Sequence, residues 1–460
     1  MANGALFGAK VAAARAIGVA SRSSGRGGGT TLPGRALLRL EPEAIARLGM
    51  RLDRGTTIVS ATNGKTTTAT MIAAILAADG RQPVHNRAGS NMAWGVATAL
   101  LEQGGREGLF EVDEAWLPRV TAQLQPSLIV LGNLFRDQLD RYGEMEALAE
   151  EWARVVAERA GSTSFALNAD DPLIADLGRD AEGRPRPGVV YFGIEDPSQA
   201  LAEFQHAFDA KHCRRCGHPY AYELAYVGHL GHYSCPHCGA TRPRPEVAAS
   251  KIELRGVSGS RIAIRTPVGE LKMDLPLPGL YNVYNALGAI AAGIRLGVAP
   301  ERITAALSGM RAAFGRVEAI EVGEVPVWIL LIKNPAGANE VLRTLRLEAG
   351  GDQIDVLVAL NDRIADGRDV SWIWDADFEL LAGAAGRVVC AGTRAAEMAL
   401  RLKYAGLTPS QIEIVPDIEA SLDRVVAGAK RPVFALPTYT ALLELRGLLA
   451  ERGLAAEFWR

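Results

Sequence analysis

The run Ile58-Val59-Ser60-Ala61-Thr62-Asn63-Gly64-Lys65-Thr66-Thr67 constrains the fold more than any other stretch of the chain. A β-branched run at Thr56–Ser60 leads into a glycine turn, and the pattern that follows predicts a helix over Lys65–Ala78. The N–H groups of such a loop and helix start can cradle phosphate oxygens. Thr62, Asn63, Gly64, Lys65, Thr66 and Thr67 are therefore the nucleotide-binding candidates. Lys65 would reach the β and γ phosphates of a nucleoside triphosphate, and the Thr66 hydroxyl would hold Mg²⁺. The first glycine of the usual pattern is missing, because Val59 stands there. The competing reading is a glycine turn that merely caps a helix.

Further strand-like runs at Leu128–Leu131 and Thr163–Leu167, with a helical stretch at Glu144–Arg159, predict an α/β fold with a parallel sheet between helices. A second series follows at Val325–Ile332, Ile354–Leu360, Val388–Ala391, Ile412–Val415 and Val433–Leu436, with helices at Ala395–Tyr404 and Leu442–Arg452. It predicts a C-terminal Rossmann-like α/β domain. The 460 residues suit about three domains. The expected division is an N-terminal segment (1–54), an ATP-binding central domain (55–313) with an insertion (206–245), and a C-terminal domain (314–460).

The insertion stands out by composition. It holds six of the seven histidines and four of the five cysteines. Cys213-x₂-Cys216 and Cys235-x₂-Cys238, eighteen residues apart, predict a Cys₄ zinc ribbon. Gly217 and Gly239 would let the backbone turn around the thiolates. Four thiolates close a tetrahedral site, so the zinc is expected to be structural. The fifth cysteine, Cys390, ends a strand, and the only histidine outside the insertion, His85, belongs to the other domain. A buried core thiol is expected there, not a nucleophile.

Charge excludes other classes. The formal net charge of −2 argues against a nucleic-acid binder. No stretch reaches the ~18 apolar residues of a membrane span. Met1–Leu40 carries Lys10, Arg15, Arg22, Arg26, Arg35 and Arg39 and no acidic residue. It reads as a helix and loop, or as a basic face resting on an anionic membrane. Paired cysteines without a disulfide framework, and no secretory signal, point to the cytoplasm.

Two polar clusters follow strands. Glu111-Val112-Asp113-Glu114 is either a metal-holding group facing the phosphates or a solvated loop. Asn133-Leu134-Phe135-Arg136-Asp137-Gln138-Leu139-Asp140 is either catalytic or a loop-capping network.

Taken in order, Ser60–Thr67, Asn133–Tyr142, Asn168-Ala169-Asp170-Asp171, Asn282-x₂-Asn285 and Gly315-Arg316 resemble the Mur ligases and folylpolyglutamate synthases. Lys333–Glu340, Asn361–Asp375 and Leu436–Thr440 resemble more closely the MurT family, the synthetase subunits of lipid II isoglutaminyl synthases. The resemblance runs from about Leu32 to the end.

The resemblance implies ATP-dependent amidation of the D-glutamate α-carboxylate of lipid II through an acyl phosphate. Glu111 would bind a second Mg²⁺. Asn285 and Asn282 would meet the adenine, and Arg316 would lie near the phosphates. Gln138 stands at a usual metal-binding histidine. Leu330 and Lys333 stand at the Asp and His of a motif that serves an amino-acid acceptor, which ammonia would not need. About 55 residues precede the phosphate loop, too few for a domain that grips a nucleotide-linked precursor, so a lipid-linked substrate is expected. The enzyme would then work in the cytoplasm, at the inner face of the membrane.

The chain has no plausible Cys–His glutaminase pair of its own. A glutaminase subunit, GatD by resemblance, would supply the ammonia. Asp369, or second Asp366, would orient the partner's catalytic histidine, with Trp372 and Trp374 at the interface; the competing reading has these acids cap the next helix. The alternative function is an amino-acid-adding Mur or folylpolyglutamate-type ligase.

Overall fold

The computed structural model describes residues 2–23, 31–86, 90–137, 145–310, 318–429 and 431–455. Gln138, Gly315, Arg316 and the glycine run 25–29 lie outside them.

Three helices come first: α1 (Ala2–Ser23), α2 (Leu32–Leu40) and α3 (Ala44–Gly49). Then β1 (Thr56–Ser60) enters the middle of a nine-stranded sheet. It is buried along its whole length, as a strand covered by helices on both faces must be. Helix α4 (Lys65–Ala78) follows, then β2 (Val84–His85), α5 (Ala93–Glu102), β3 (Gly108–Glu111), α6 (Leu117–Leu124) and β4 (Leu128–Leu131). After α7 (Met145–Arg159) come β5 (Ser164–Asn168), α8 (Pro172–Leu177) and β6 (Val189–Ile194). The inserted hairpin is β7 (Ala221–Val227) and β8 (Leu230–Ser234). The sheet is completed by β9 (Val247–Leu254), β10 (Ser260–Thr266) and β11 (Gly269–Leu275), before α9 (Leu280–Arg295) and α10 (Pro300–Ser308).

The strand order is β11-β10-β9-β6-β5-β4-β1-β3-β2. From β9 to β2 neighbours run parallel, while β9, β10 and β11 pair antiparallel. That edge departs from the expected strand–helix alternation after the insertion. Along β11 buried and exposed residues alternate, the period-two signature of a sheet wet on one face. Met71, Ile72 and Ile75 of α4 share one core with Val283, Leu287 and Ile290 of α9. Trp152 of α7 anchors the core on the other face.

The C-terminal sheet has six strands: β12 (Glu318–Val322), β13 (Val325–Ile329), β14 (Ile354–Ala359), β15 (Ala385–Ala391), β16 (Ile412–Ile414) and β17 (Val433–Pro437). Their order is β12-β13-β17-β14-β15-β16, parallel except for β12. Its helices are α11 (Pro335–Ala349), α12 (Ala395–Tyr404), α13 (Ile418–Val426) and α14 (Tyr439–Glu451). The expected strands recur with ends moved by a few residues; β12 was not expected.

Cys390 is wholly buried in β15, and burial pushes its thiol up to about 12. A thiol held protonated and away from solvent is inert. In the native protein Cys390 should resist alkylation at pH 8 and react only on denaturation, which mass spectrometry of the alkylated peptide checks; labelling as fast as for a free thiol would contradict this packing.

Candidate active site at the phosphate loop

The loop from β1 to α4 sits where the carboxyl ends of β1, β3 and β4 open, the ligand-binding edge of a parallel sheet. Gly64 caps α4 with φ 88°, and a Cβ there would run into Asn285 Oδ1. Only glycine meets both demands. The loop is held from the β4 side by Asn133. Its Oδ1 accepts from Asn63 N (2.9 Å), its Nδ2 donates to Asn63 O (3.0 Å), and its carbonyl accepts from Thr62 N (2.9 Å). Phe135 N donates to Thr62 Oγ1 at 3.1 Å. Part of the Asn133–Asp140 cluster thus braces the loop.

Lys65 is buried and donates to Glu114 Oε2 at 2.8 Å. Burial opposes its charge, but Glu114, Asp113 and Glu111 outweigh burial and raise its pKa above the ordinary lysine value. Burial likewise opposes ionisation of Glu114, yet Lys65 and Lys333 hold its carboxyl below the ordinary range. Beside this pair, Thr66 Oγ1 donates to Glu111 Oε1 at 2.8 Å. A hydroxyl and a carboxylate that share one point are a fitting oxygen pair for Mg²⁺. Thr67 follows in the first turn of α4.

The C-terminal domain closes the other side. Asn63 Nδ2 donates to Asn334 Oδ1 (3.2 Å), and Asn334 Nδ2 donates to Asn63 Oδ1 (3.0 Å). Lys333 donates to Thr62 O (3.1 Å) and pairs with Asp137. Asn334 also caps α11 through Gly337 N at 2.9 Å. The N-termini of α4 and α11, with two lysines, therefore converge on the loop, an arrangement that favours an anion.

Asn282 and Asn285 are buried in the first turns of α9. Asn285 Nδ2 donates to Asn282 Oδ1 (3.0 Å), Asn282 Nδ2 donates to Pro278 O (2.8 Å), and Thr68 Oγ1 donates to Asn285 Oδ1 (3.3 Å). They lie directly behind Gly64. Asp170 and Asp171 serve the fold: Asp171 caps α8, and Asp170 accepts from Arg242 (2.6 Å), Tyr284 (2.7 Å) and Ile194 N (2.9 Å).

Asp366 and Asp369 lie apart from this site, after β14. Asp366 is buried and accepts from Thr440 N at 2.7 Å. Asp369 is exposed and accepts from Ser371 N at 2.8 Å; that backbone donor, together with the Ser371 hydroxyl, holds its carboxyl below the ordinary range. Trp372 is half-buried, and exposed Trp374 meets Tyr404 edge-on at 5.8 Å.

In the insertion, the sulfurs of Cys213, Cys216, Cys235 and Cys238 all lie within 4.8 Å of one another. Cys213–Cys238 and Cys216–Cys235 are 3.6 and 3.5 Å apart. Tetrahedral zinc with Zn–S of about 2.3 Å separates its sulfurs by about 3.8 Å, so the cluster fits. Gly217 (φ 71°) and Gly239 (φ 75°) both adopt the left-handed turn expected of them. The backbone N–H groups of Cys238 and His237 draw the Cys235 thiol down to about 6.

Two contacts were not foreseen. Glu114 lay in a noted acidic cluster, but nothing in the sequence paired it with Lys65. The Asn63–Asn334 pair joins residues 271 positions apart, with no local signal.

A phosphate-binding central domain closed by a second α/β domain defines a ligase of the Mur type. The profile "Mur ligase middle domain" matches residues 59–230, and "MurT ligase C-terminal" matches 331–442. The subunit MurT of lipid II isoglutaminyl synthase (glutamine-hydrolyzing) from Staphylococcus aureus is 32% identical, over 92% of this chain and 93% of its own. That of Streptococcus pneumoniae is 33% identical, over 93% of each. A pseudomurein peptide ligase type C from Methanothermus fervidus superposes with a TM-score of 0.66 at 23% identity, covering 86% of this chain and 78% of its own. The chain belongs to the MurT family of Mur ligases, and it is an enzyme subunit.

The Lys65–Glu114 pair generates a prediction. Glu114, with its lowered pKa, stabilises the fold above pH ~4.5, and this is lost as pH falls through the folded value. Lys65, with its raised pKa, stabilises below pH ~10.4, and this is lost as pH rises through the folded value. Glu114→Gln should therefore cost about 3 kcal/mol at pH 7, since it strands a buried ammonium. The deficit should shrink near pH 3.5. Urea unfolding at both values measures it, and an unchanged midpoint at pH 7 would show that the pair contributes nothing.

Proposed function

We propose that the chain is the synthetase subunit that amidates the D-glutamate α-carboxylate of lipid II to D-isoglutamine, using ATP and ammonia. The observation that carries this is the convergence of Lys65, Thr66–Glu111 and Lys333 on one phosphate loop in a chain of the MurT family. The substrate carboxylate attacks the γ-phosphorus, and ADP leaves. Ammonia then attacks the acyl phosphate carbon, phosphate leaves, and the nitrogen loses a proton. Lys65, Lys333 and the loop N–H groups stabilise charge on the transferring phosphoryl group. Mg²⁺, held by Thr66 and Glu111, would neutralise phosphate charge. Asn282 and Asn285 would flank the adenine and Arg316 the phosphates. Lys333 in place of histidine suits an acceptor as small as ammonia.

The ammonia comes from a separate glutaminase subunit, GatD, on the C-terminal domain. Asp369 is the residue to orient its catalytic histidine: it is exposed and ionised, whereas Asp366 is turned inward to Thr440. Work at the inner face of the membrane follows from a lipid-linked substrate; among the described residues no helix is long and apolar enough to cross a membrane.

The test is turnover of lipid II with ATP, Mg²⁺ and ammonium. Wild-type chain should release ADP and form the amide, and Lys65→Ala should lose at least about 100-fold. With the glutaminase present, Asp369→Asn should lower glutamine-supported activity far more than ammonium-supported activity. Incorporation of an added amino acid instead of ammonia would establish an amino-acid-adding ligase.

The Cys₄ cluster is proposed to hold one structural Zn²⁺. Metal analysis should find one per chain, and Cys213→Ser should lower the melting temperature along with zinc content. A stable, metal-free wild-type chain would rule this out.

A further inference from the structure

Arg35 on α2, Trp94 on α5, Trp116 in the turn just before α6 and Arg119 on α6 form a continuous ladder beside the phosphate site. Arg35 Cζ lies 5.2 Å from the centroid of the Trp94 ring, and Arg119 Cζ lies 5.5 Å from that of Trp116. The two indoles meet edge-to-face at 5.1 Å and 71°. Both arginines are exposed and both tryptophans half-buried.

The ladder adjoins the chemistry. Trp94 follows Asn91 by three residues, and Asn91 Nδ2 donates to Glu111 Oε1 at 3.4 Å. Trp116 ends the turn that begins with Glu114, the partner of Lys65.

Its groups are also unused. Arg81, Arg136, Arg242 and Arg401 are ion-paired, yet among the described residues neither Arg35 nor Arg119 has a carboxylate partner. Nor does either indole N–H have an acceptor there, whereas Trp152 donates to Glu114 O at 3.0 Å. Two guanidiniums supported on aromatic faces, with two idle N–H donors between them, match one ligand chemistry. Guanidinium forks suit phosphate oxygens, and indoles cover the apolar face of a sugar ring while donating to its hydroxyls.

We propose that Arg35, Trp94, Trp116 and Arg119 bind the glycosyl pyrophosphate of the substrate and so present its peptide carboxylate to the phosphate loop. The proposal rests on lipid II being the substrate. A glycosyl pyrophosphate is carried either on a lipid or on a nucleotide, and the neighbouring helix favours the lipid. Helix α2 packs antiparallel to α1, with Lys10 on Glu41 and Gly18 against Pro33. Lys10 is half-buried against Glu41, and Arg15, though exposed, donates to Leu101 O at 2.9 Å. The outward stripe of α1 is Leu6, Ala9, Ala13, Ile17 and Ala20, all exposed at helical spacing. An apolar face of that kind lies well on a bilayer surface.

The test is binding, measured by calorimetry on the full chain without ATP, so that it does not depend on turnover. The probes are a short-chain lipid II analogue in detergent, the nucleotide-linked muramyl pentapeptide, and the free stem pentapeptide. Arg35→Ala and Arg119→Ala, both at exposed positions, should each weaken the lipid II analogue about tenfold. Binding of ATP and of the free pentapeptide should stay within about twofold. Wild-type-like binding of the lipid II analogue by both variants, or equal weakening of the free pentapeptide, would overturn the platform. Tighter binding of the nucleotide-linked probe than of the lipid one would overturn the lipid assignment. Binding as expected without amidation of lipid II would instead refute the functional reading and leave the platform standing.

Discussion

Lys65 is a cation held almost out of water at the tip of β1, and much of the surrounding structure follows from keeping it paired. An isolated buried ammonium would give up its proton or pull the fold open. Glu114 answers that charge directly, with Asp113 and Glu111 behind it. Lys333 also acts on Glu114, so its carboxylate faces two lysines.

Lys333 and Asn334 also explain why the two sheets must be joined. The loop N–H groups belong to the central domain, but the second lysine and the second helix N-terminus come from the C-terminal one. Their separation is set partly by the inserted ribbon. Gly231 N donates to Asp170 O (2.9 Å), and His232 Nε2 meets Ile194 O at 2.9 Å, which seats the hairpin on the central sheet. Arg343 of α11 donates to Tyr226 O at 2.7 Å, and His206 meets Asp377 at 2.9 Å, which ties the ribbon to the C-terminal domain. The insertion thus contacts both domains.

The loop after β14 shows how a motif divides its labour. Asp366 and Thr440 clamp the loop to the start of α14, together with Asn361. That clamp leaves Asp369 at the surface on a firm base. Its carboxylate accepts from Ser371 N at the start of the short turn Ser371–Trp374, and the same contact favours its ionised form.

The phosphate loop, the helix Lys65–Ala78 and the Cys₄ knuckles were legible because each is local. Residue type at short spacing dictates the turn, the cap or the ligand set. Most strands of both sheets were legible for the same reason, since a buried parallel strand is an unbroken apolar run. The antiparallel edge β9–β11 was missed, because a half-wet strand carries a weaker, alternating signal. The partner of Lys65, the Asn63–Asn334 pair and the Arg35–Trp94–Trp116–Arg119 ladder were not legible at all. Each joins side chains from different elements, and no periodicity or motif encodes which of many polar residues will meet. By itself the sequence determined the class of fold, the glycine turn between β1 and α4 and the four cysteines that meet in the insertion. Only the tertiary structure decided which charges neutralise one another and which stay unpaired, because Coulomb energy and burial depend on distances that chain order does not contain.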